Sequence, residues 1–185
     1  MFMAHAPAGV SLEKGERVEW AGRMSYKANL GLLTLGFLTI WFGLGLVFFV
    51  LAYLRVKSTY YALTNHKTYA KYGLIARRVT ESPLAWVTDV QVNQGFLGRL
   101  FNVGDLRINT PGSAGYKIVF VGVSDPMNVR ARIGSLTHQL KDASELRDKI
   151  KRLDEEYELG RIDTVRYASI KANYQQELSK YESQT

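Results

Sequence analysis

The sequence has no cysteine, and its three histidines, His5, His66 and His138, are far apart in a chain of 185 residues. Disulfides, thiolate metal sites and cysteine nucleophiles are therefore excluded, and the histidines have no metal-ligand spacing. Acidic residues and histidine are also missing from the long apolar stretch that starts at Ala28, so proton relay and ion transport lack their usual groups. Ser113 sits in Gly112-Ser113-Ala114-Gly115, which has the spacing of a hairpin turn and not of a nucleophile elbow. Gly95-Phe96-Leu97-Gly98-Arg99 is not followed by Gly-Lys-Ser/Thr, so it reads as a turn with a short helix and not as a phosphate loop. Asp154-Glu155-Glu156 lacks EF-hand spacing and reads as a solvated helix face. No catalytic, metal or cofactor constellation emerges, and a non-enzymatic protein is expected.

What the chain does have is an uncharged, strongly apolar run from Ala28 to Leu54. As one helix it would extend about 40 Å, enough for a tilted crossing of the hydrocarbon core. It begins too late, is too long and lacks the following small-residue site for a secretory signal peptide. Leu30, Leu33, Phe37, Ile40, Trp41, Phe42, Leu46, Phe49 and Leu51 are the residues expected in lipid. Basic residues flank both ends, Arg23 and Lys27 before and Arg55 and Lys57 after, which gives little of the asymmetry of a single span. Trp41-Phe42-Gly43-Leu44-Gly45 in the middle suits a re-entrant hairpin, although each arm would be only about 20 Å long. A single transmembrane helix and a hairpin both stay open on these residues.

The formal net charge of +7 is concentrated after this run. Residues 55–134 hold eleven basic and four acidic groups, whereas residues 1–27 are net +1 and residues 135–185 net −1. Next to an anchor, such charge suits anionic headgroups, with Arg23, Lys27, Arg55, Lys57, Arg77 and Arg78 as candidate contacts. Lys67, Lys71, Arg99 and Arg107 read individually as solvated strand-edge residues. Nucleic acid is the rival anionic partner and the less favoured one.

From Lys57 the pattern is one of short strand-forming runs punctuated by turn residues. Ser58–Leu63, Thr68–Tyr72, Leu74–Glu81, Trp86–Val92, Leu106–Thr110 and Tyr116–Val121 are the expected strands, with Thr64-Asn65-His66-Lys67 and Pro111–Gly115 as turns. Asp125-Pro126 opens a helix whose apolar face is Val129, Ile133, Leu136 and Leu140.

The runs Tyr61-Ala62-Leu63-Thr64-Asn65, Gly73-Leu74-Ile75-Ala76-Arg77-Arg78 and Pro83-Leu84-Ala85-Trp86-Val87 resemble the bacterial pleckstrin-homology (PH) domain family of small membrane proteins. So do Val90–Asp105 and Val121-Gly122-Val123-Ser124-Asp125-Pro126, in the same order. The turn departs from the family pattern, having His66-Lys67 where an arginine is usual. The resemblance implies an α+β, mainly β fold: an antiparallel seven-stranded PH-like barrel capped by a C-terminal helix. Gly15–Gly22 would supply the first strand, with the apolar segment inserted after it, an order that favours the hairpin. The implied division is an N-terminal segment 1–27, a membrane-embedded segment 28–54, a PH-like domain 55–140 facing the cytoplasm at the cell membrane, and a tail 141–185.

The tail reads as two amphipathic helices, one capped by Ser144 and stopped at Gly160, the other capped by Asp163. Leu146, Ile150, Leu153 and Tyr157 line one, and Tyr167, Ile170, Tyr174 and Leu178 the other. Leu159-Gly160-Arg161-Ile162-Asp163, with Tyr167 and Lys171, resembles the short C-terminal helical-hairpin module (SHOCT). A lone short helical pair buries little surface, so these stripes are the expected face for self-association or partner docking. The functional expectation is a membrane-anchored adaptor that gathers protein partners; a membrane-bound nucleic-acid binder and an accessory subunit of a membrane enzyme or transporter are the alternatives.

Overall fold

A computed structural model describes residues 12–13, 15–40, 44–73, 78–111 and 118–184. The chain divides into two compact units, residues 1–134 and 135–185.

Among the described residues the first unit holds seven strands: β1 (Val18–Arg23), β2 (Tyr60–Thr64), β3 (Lys67–Tyr72), β4 (Arg78–Pro83), β5 (Asp89–Asn93), β6 (Val103–Asn109) and β7 (Ile118–Ser124). They form two antiparallel sheets, ordered β1-β2-β3-β4 and β5-β6-β7. Tyr61 of β2 stacks on Phe120 of β7 at 4.6 Å between ring centroids, and Trp20 of β1 stacks on Phe120 at 6.2 Å. Leu63, Leu84, Leu106, Ile108, Ile118 and Val123 are fully buried with them, an apolar filling of the kind that face-to-face sheets require.

The expected seven-stranded barrel is corrected to a pair of sheets that do not close. The reason lies at β7, whose outer edge is met by side chains where a closed barrel would place a strand. The Tyr61 hydroxyl accepts from the Val121 N–H at 2.7 Å and lies 3.0 Å from the Val121 carbonyl. The Tyr72 hydroxyl donates to the Val119 carbonyl. Backbone groups that would otherwise need a neighbouring strand are thereby satisfied. Burial of the Tyr61 phenol pushes its pKa upward, so the donor stays protonated.

Two further expectations are corrected here. Trp86 does not start a strand: Leu84–Trp86 is a 3-10 turn and β5 begins only at Asp89, leaving Trp86 exposed. The fifth strand follows the alternation only from that point, with Val90 buried. The helix opened by Pro126 does not stop before Ser144 but runs unbroken as Pro126–Glu158. No glycine or proline interrupts residues 135–158, and the Ser144 hydroxyl bonds back to the Lys141 carbonyl at 2.7 Å in place of capping a new start.

The first turns of this helix belong to the first unit, where Val129 and Ile133 are buried. Arg130 Nε donates to the Val90 carbonyl at 2.9 Å and Arg132 to the Glu19 carbonyl at 3.1 Å, so the helix is bonded to both sheets.

In the second unit the end of that helix is followed by Thr164–Gln184, with Gly160 at φ +68° between them. The Asp163 carboxylate caps the new start, accepting from the Val165 and Arg166 N–H groups at 3.0 Å each. Tyr157 and Tyr167 stack at 4.2 Å across the pair. Asp154 accepts from Tyr167 and Lys171, each at 2.9 Å.

Candidate functional site

The apolar segment departs from the four-stranded sheet and returns to it at one place. Arg23, the last residue of β1, pairs with Tyr60, the first of β2. Between them lie a 3-10 turn (Tyr26–Asn29) and two helices, α1 (Leu30–Leu38) and α2 (Gly45–Ser58). No helix among the described residues is long and apolar enough to cross a membrane. The transmembrane helix open on length is thus corrected to a helical hairpin. Its helices meet at glycine: a Cβ on Gly45 would strike the Gly36 carbonyl oxygen, and one on Gly36 would lie 3.2 Å from the Gly45 oxygen.

Both helices carry large apolar side chains that are exposed among the described residues. Phe37, Leu38 and Leu46 are 71–73% exposed, and Ile40, Phe49 and Leu51 are exposed as well, whereas Leu30 and Leu33 are half-buried. Trp41 and Phe42 lie outside the described residues. The few hydroxyls fold back on their own backbone: Thr34 to the Gly31 carbonyl at 3.0 Å and Thr39 to the Leu35 carbonyl at 2.7 Å. Self-satisfied hydroxyls are what a helix needs where water is absent.

The strand register gathers basic side chains at the hairpin's base. Arg23 pairs with Tyr60, Tyr60 with Lys71, Lys71 with Val79 and Tyr72 with Arg78, so Arg23, Lys71 and Arg78 lie along one end of the sheet. Lys27 is in the entry turn, and Arg55 and Lys57 are in the last turn of α2. Arg23 sits 5.7 Å from the centre of the Tyr60 ring, and Lys57 5.5 Å from that of Tyr53. Arg77 lies outside the described residues.

The base is fixed to the other sheet at Gly122. Its carbonyl accepts from the Ser25 N–H at 2.7 Å, and its own N–H donates to Asp105 at 2.8 Å. Gly122 has φ +65°, and a Cβ there would collide with Ala28 and come within 3.2 Å of Met24. Both features require glycine.

Lys67 belongs to the far end of the sheet, where it is paired with Glu13. There Glu16 is buried, and its carboxylate accepts from the Thr64 hydroxyl at 2.6 Å, the Tyr69 hydroxyl at 3.0 Å and the Glu13 N–H at 2.9 Å. Burial works to raise the Glu16 pKa, but the bonds from Thr64, Glu13 and Tyr69, with the Lys67 charge, bring it below its ordinary value. Asn65 ties the turn to the N-terminal segment, accepting from Arg17 N–H at 2.9 Å through its side chain. The Thr64-Asn65 pair, legible in the sequence only as a turn, is the junction that fastens the first strand.

Among the described residues no group of His, Cys, Asp and Glu could hold a metal ion. A family model described as Bacterial PH domain matches residues 16–137. The chain belongs to the bacterial PH domain family. No curated protein and no solved structure matches it. The matched span covers both sheets of the PH domain, the inserted hairpin and the start of the closing helix. PH domains of this family are typically non-catalytic, adaptor-type modules.

The second unit uses part of its candidate partner face internally. Leu146 and Leu153 are buried, Tyr157 and Tyr167 stack on each other, and Ile150, Ile170, Tyr174 and Leu178 are half-buried. The Tyr157–Tyr167 stack lies between the two helices of this unit, so those two residues of the candidate face are used there. One exposed apolar element went unread as a site in the sequence: the short helix α3 (Phe96–Leu100). Gly95-Phe96-Leu97-Gly98 has no periodicity over so few residues to show which way its side chains face.

Proposed function

We propose that this protein is a non-enzymatic adaptor held at the cytoplasmic face of the cell membrane by its re-entrant hairpin, with the PH domain seated on the headgroups. The observation that carries this reading is the apolar, outward-facing hairpin emerging from a basic end of the sheet. Helix α2 is apolar from Gly45 to Leu54, about 15 Å, roughly half the hydrocarbon thickness. Basic groups at the hairpin's foot suit anionic lipid at about 1 kcal/mol each. Their clustering around the anchor favours lipid over nucleic acid as the anionic partner. The C-terminal helices, SHOCT-like in sequence, would then gather protein partners or a second copy of the chain.

The test is flotation of the full chain with vesicles, before and after alkaline carbonate, beside a variant in which residues 30–58 are replaced by a short Gly/Ser linker. The full chain is expected to stay with lipid and the variant to remain in solution. A variant that floats equally well, or a full chain removed by carbonate, overturns the anchor. Crosslinking the full chain against one ending at Leu140 tests self-association; identical monomer patterns would remove it.

A further inference from the structure

We propose that α3 is a second bilayer-inserting element, which enters the headgroup and upper acyl region beside the hairpin and gives the PH domain a two-point seat on lipid. The proposal rests on the membrane reading above and adds to it. Helix α3 has five residues, yet four large apolar side chains at and beside it face outward: Phe96 (85% exposed), Leu97, Leu100 (69%) and Phe101. Single exposed apolar residues are ordinary, but a contiguous cluster marks a contact surface. So short a helix has no intrinsic stability, and its position is imposed by its surroundings. A Cβ on Gly98 would collide with the Val103 carbonyl, and Gln94 Nε2 donates to that same oxygen at 3.2 Å. The backbone is thus held against β6 while the apolar side chains point away.

The occupant follows from where α3 stands. It shares a cleft of about 360 Å³ with the hairpin's foot, Leu97 and Phe101 on one side and Lys27, Leu30 and Gly31 on the other. A hairpin inserted to its foot brings α3 to the bilayer surface with no further movement of the domain. Its one charge, Arg99, is exposed, and a flexible cationic side chain beside large apolar ones is the composition that interfacial elements carry. The apolar surface of α3 thereby continues that of the anchor, and the bilayer that takes one meets the other.

The absence of cysteine allows single-site labelling of the full chain. An environment-sensitive fluorophore is placed at Phe96→Cys, and in a second variant at Leu100→Cys, with Phe37→Cys in the hairpin and His66→Cys at the far end of the sheet as references. Each is reconstituted into phosphatidylcholine–phosphatidylglycerol vesicles carrying shallow or deep doxyl-lipid quenchers. The α3 labels are expected to show blue-shifted emission that the shallow quencher reduces more than the deep one, with the His66 label unaffected. If the Phe37 label is quenched while both α3 labels behave like His66, α3 does not insert and the anchor reading survives. If the Phe37 label is not quenched either, the anchor reading itself falls. A blue shift at α3 without lipid quenching means a protein covers it, which also overturns the proposal.

Discussion

Replacing Phe37, Leu38 and Leu46 together by glutamine separates lipid contact from folding within one set of residues. All three are 71–73% exposed, so the folded chain has little packing to lose at these positions. Glutamine keeps helix propensity close to that of leucine, which leaves α1 and α2 locally unchanged. Full burial of a Leu or Phe side chain is worth about 1.5–3 kcal/mol. With about seven-tenths of each side chain available to the bilayer, the loss is about 1–2 kcal/mol per residue and about 3–6 kcal/mol for the triple variant. At about 1.4 kcal/mol per factor of ten, vesicle partitioning should fall by about 10²- to 10⁴-fold. The measurement is a lipid titration by flotation, paired with thermal unfolding in mild detergent, where the variant should melt within a few degrees of the parent. A variant that partitions like the parent but unfolds at a much lower temperature would refute the reasoning. The three side chains would then be packing groups and not lipid contacts.

Four further outcomes follow from the PH domain. Thr64→Val removes a hydroxyl bonded to the buried Glu16 carboxylate and should cost about 1.5–3 kcal/mol by chemical denaturation. Because the folded Glu16 pKa lies below the ordinary value of 4.5, its contribution is full above that pH and is lost as pH falls through the depressed folded value; Glu16→Gln should flatten this acid limb. Tyr61→Phe leaves the Val121 N–H without its phenol partner, at about 1–3 kcal/mol, and amide exchange should quicken at Val121 before it does in β6. Gly122→Ala forces a side chain into left-handed backbone, about 1–2 kcal/mol before any collision with Ala28, and protection should be lost first at Ser25, whose N–H bonds to the Gly122 carbonyl.

The strands were legible where the sequence alternates or breaks sharply. The Asn65-His66 turn and the helix start at Pro126 fall where turn chemistry places them, β6 begins three residues before the expected run and β7 ends three after it, and the first strand was implied only by the family resemblance. What could not be read was anything decided by a distant partner. The open edge of β7 is met by two tyrosines 47 and 60 positions earlier, a pairing with no local signature. The burial of Glu16 has no local signal either, because Thr64 and Tyr69, which bond to it, lie 48 and 53 positions later. Ser144 has the chemistry of a helix cap, but its hydroxyl serves the preceding turn and the helix continues through it.

The path of residues 28–54 shows how a local rule is overruled. Length alone allows Ala28–Leu54 to be one span, because hydropathy counts residues and ignores where the chain goes afterwards. The pairing of β1 with β2 removes that freedom. Val18, Trp20, Ala21, Gly22 and Arg23 are each matched across the ladder, and separating them would break the backbone hydrogen bonds of an entire strand. Chain that leaves at Arg23 must be back at Tyr60, so the segment between them has to double back. Gly36 and Gly45 make that turn compact by letting two backbones touch where side chains would hold them apart. The foot of the hairpin is then held by Ser25 and Gly122 to the second sheet and by Arg23 and Tyr60 to the first. On the membrane reading proposed above, a hairpin gripped by both sheets would fix the domain's orientation on the bilayer, and α3 would meet the same surface.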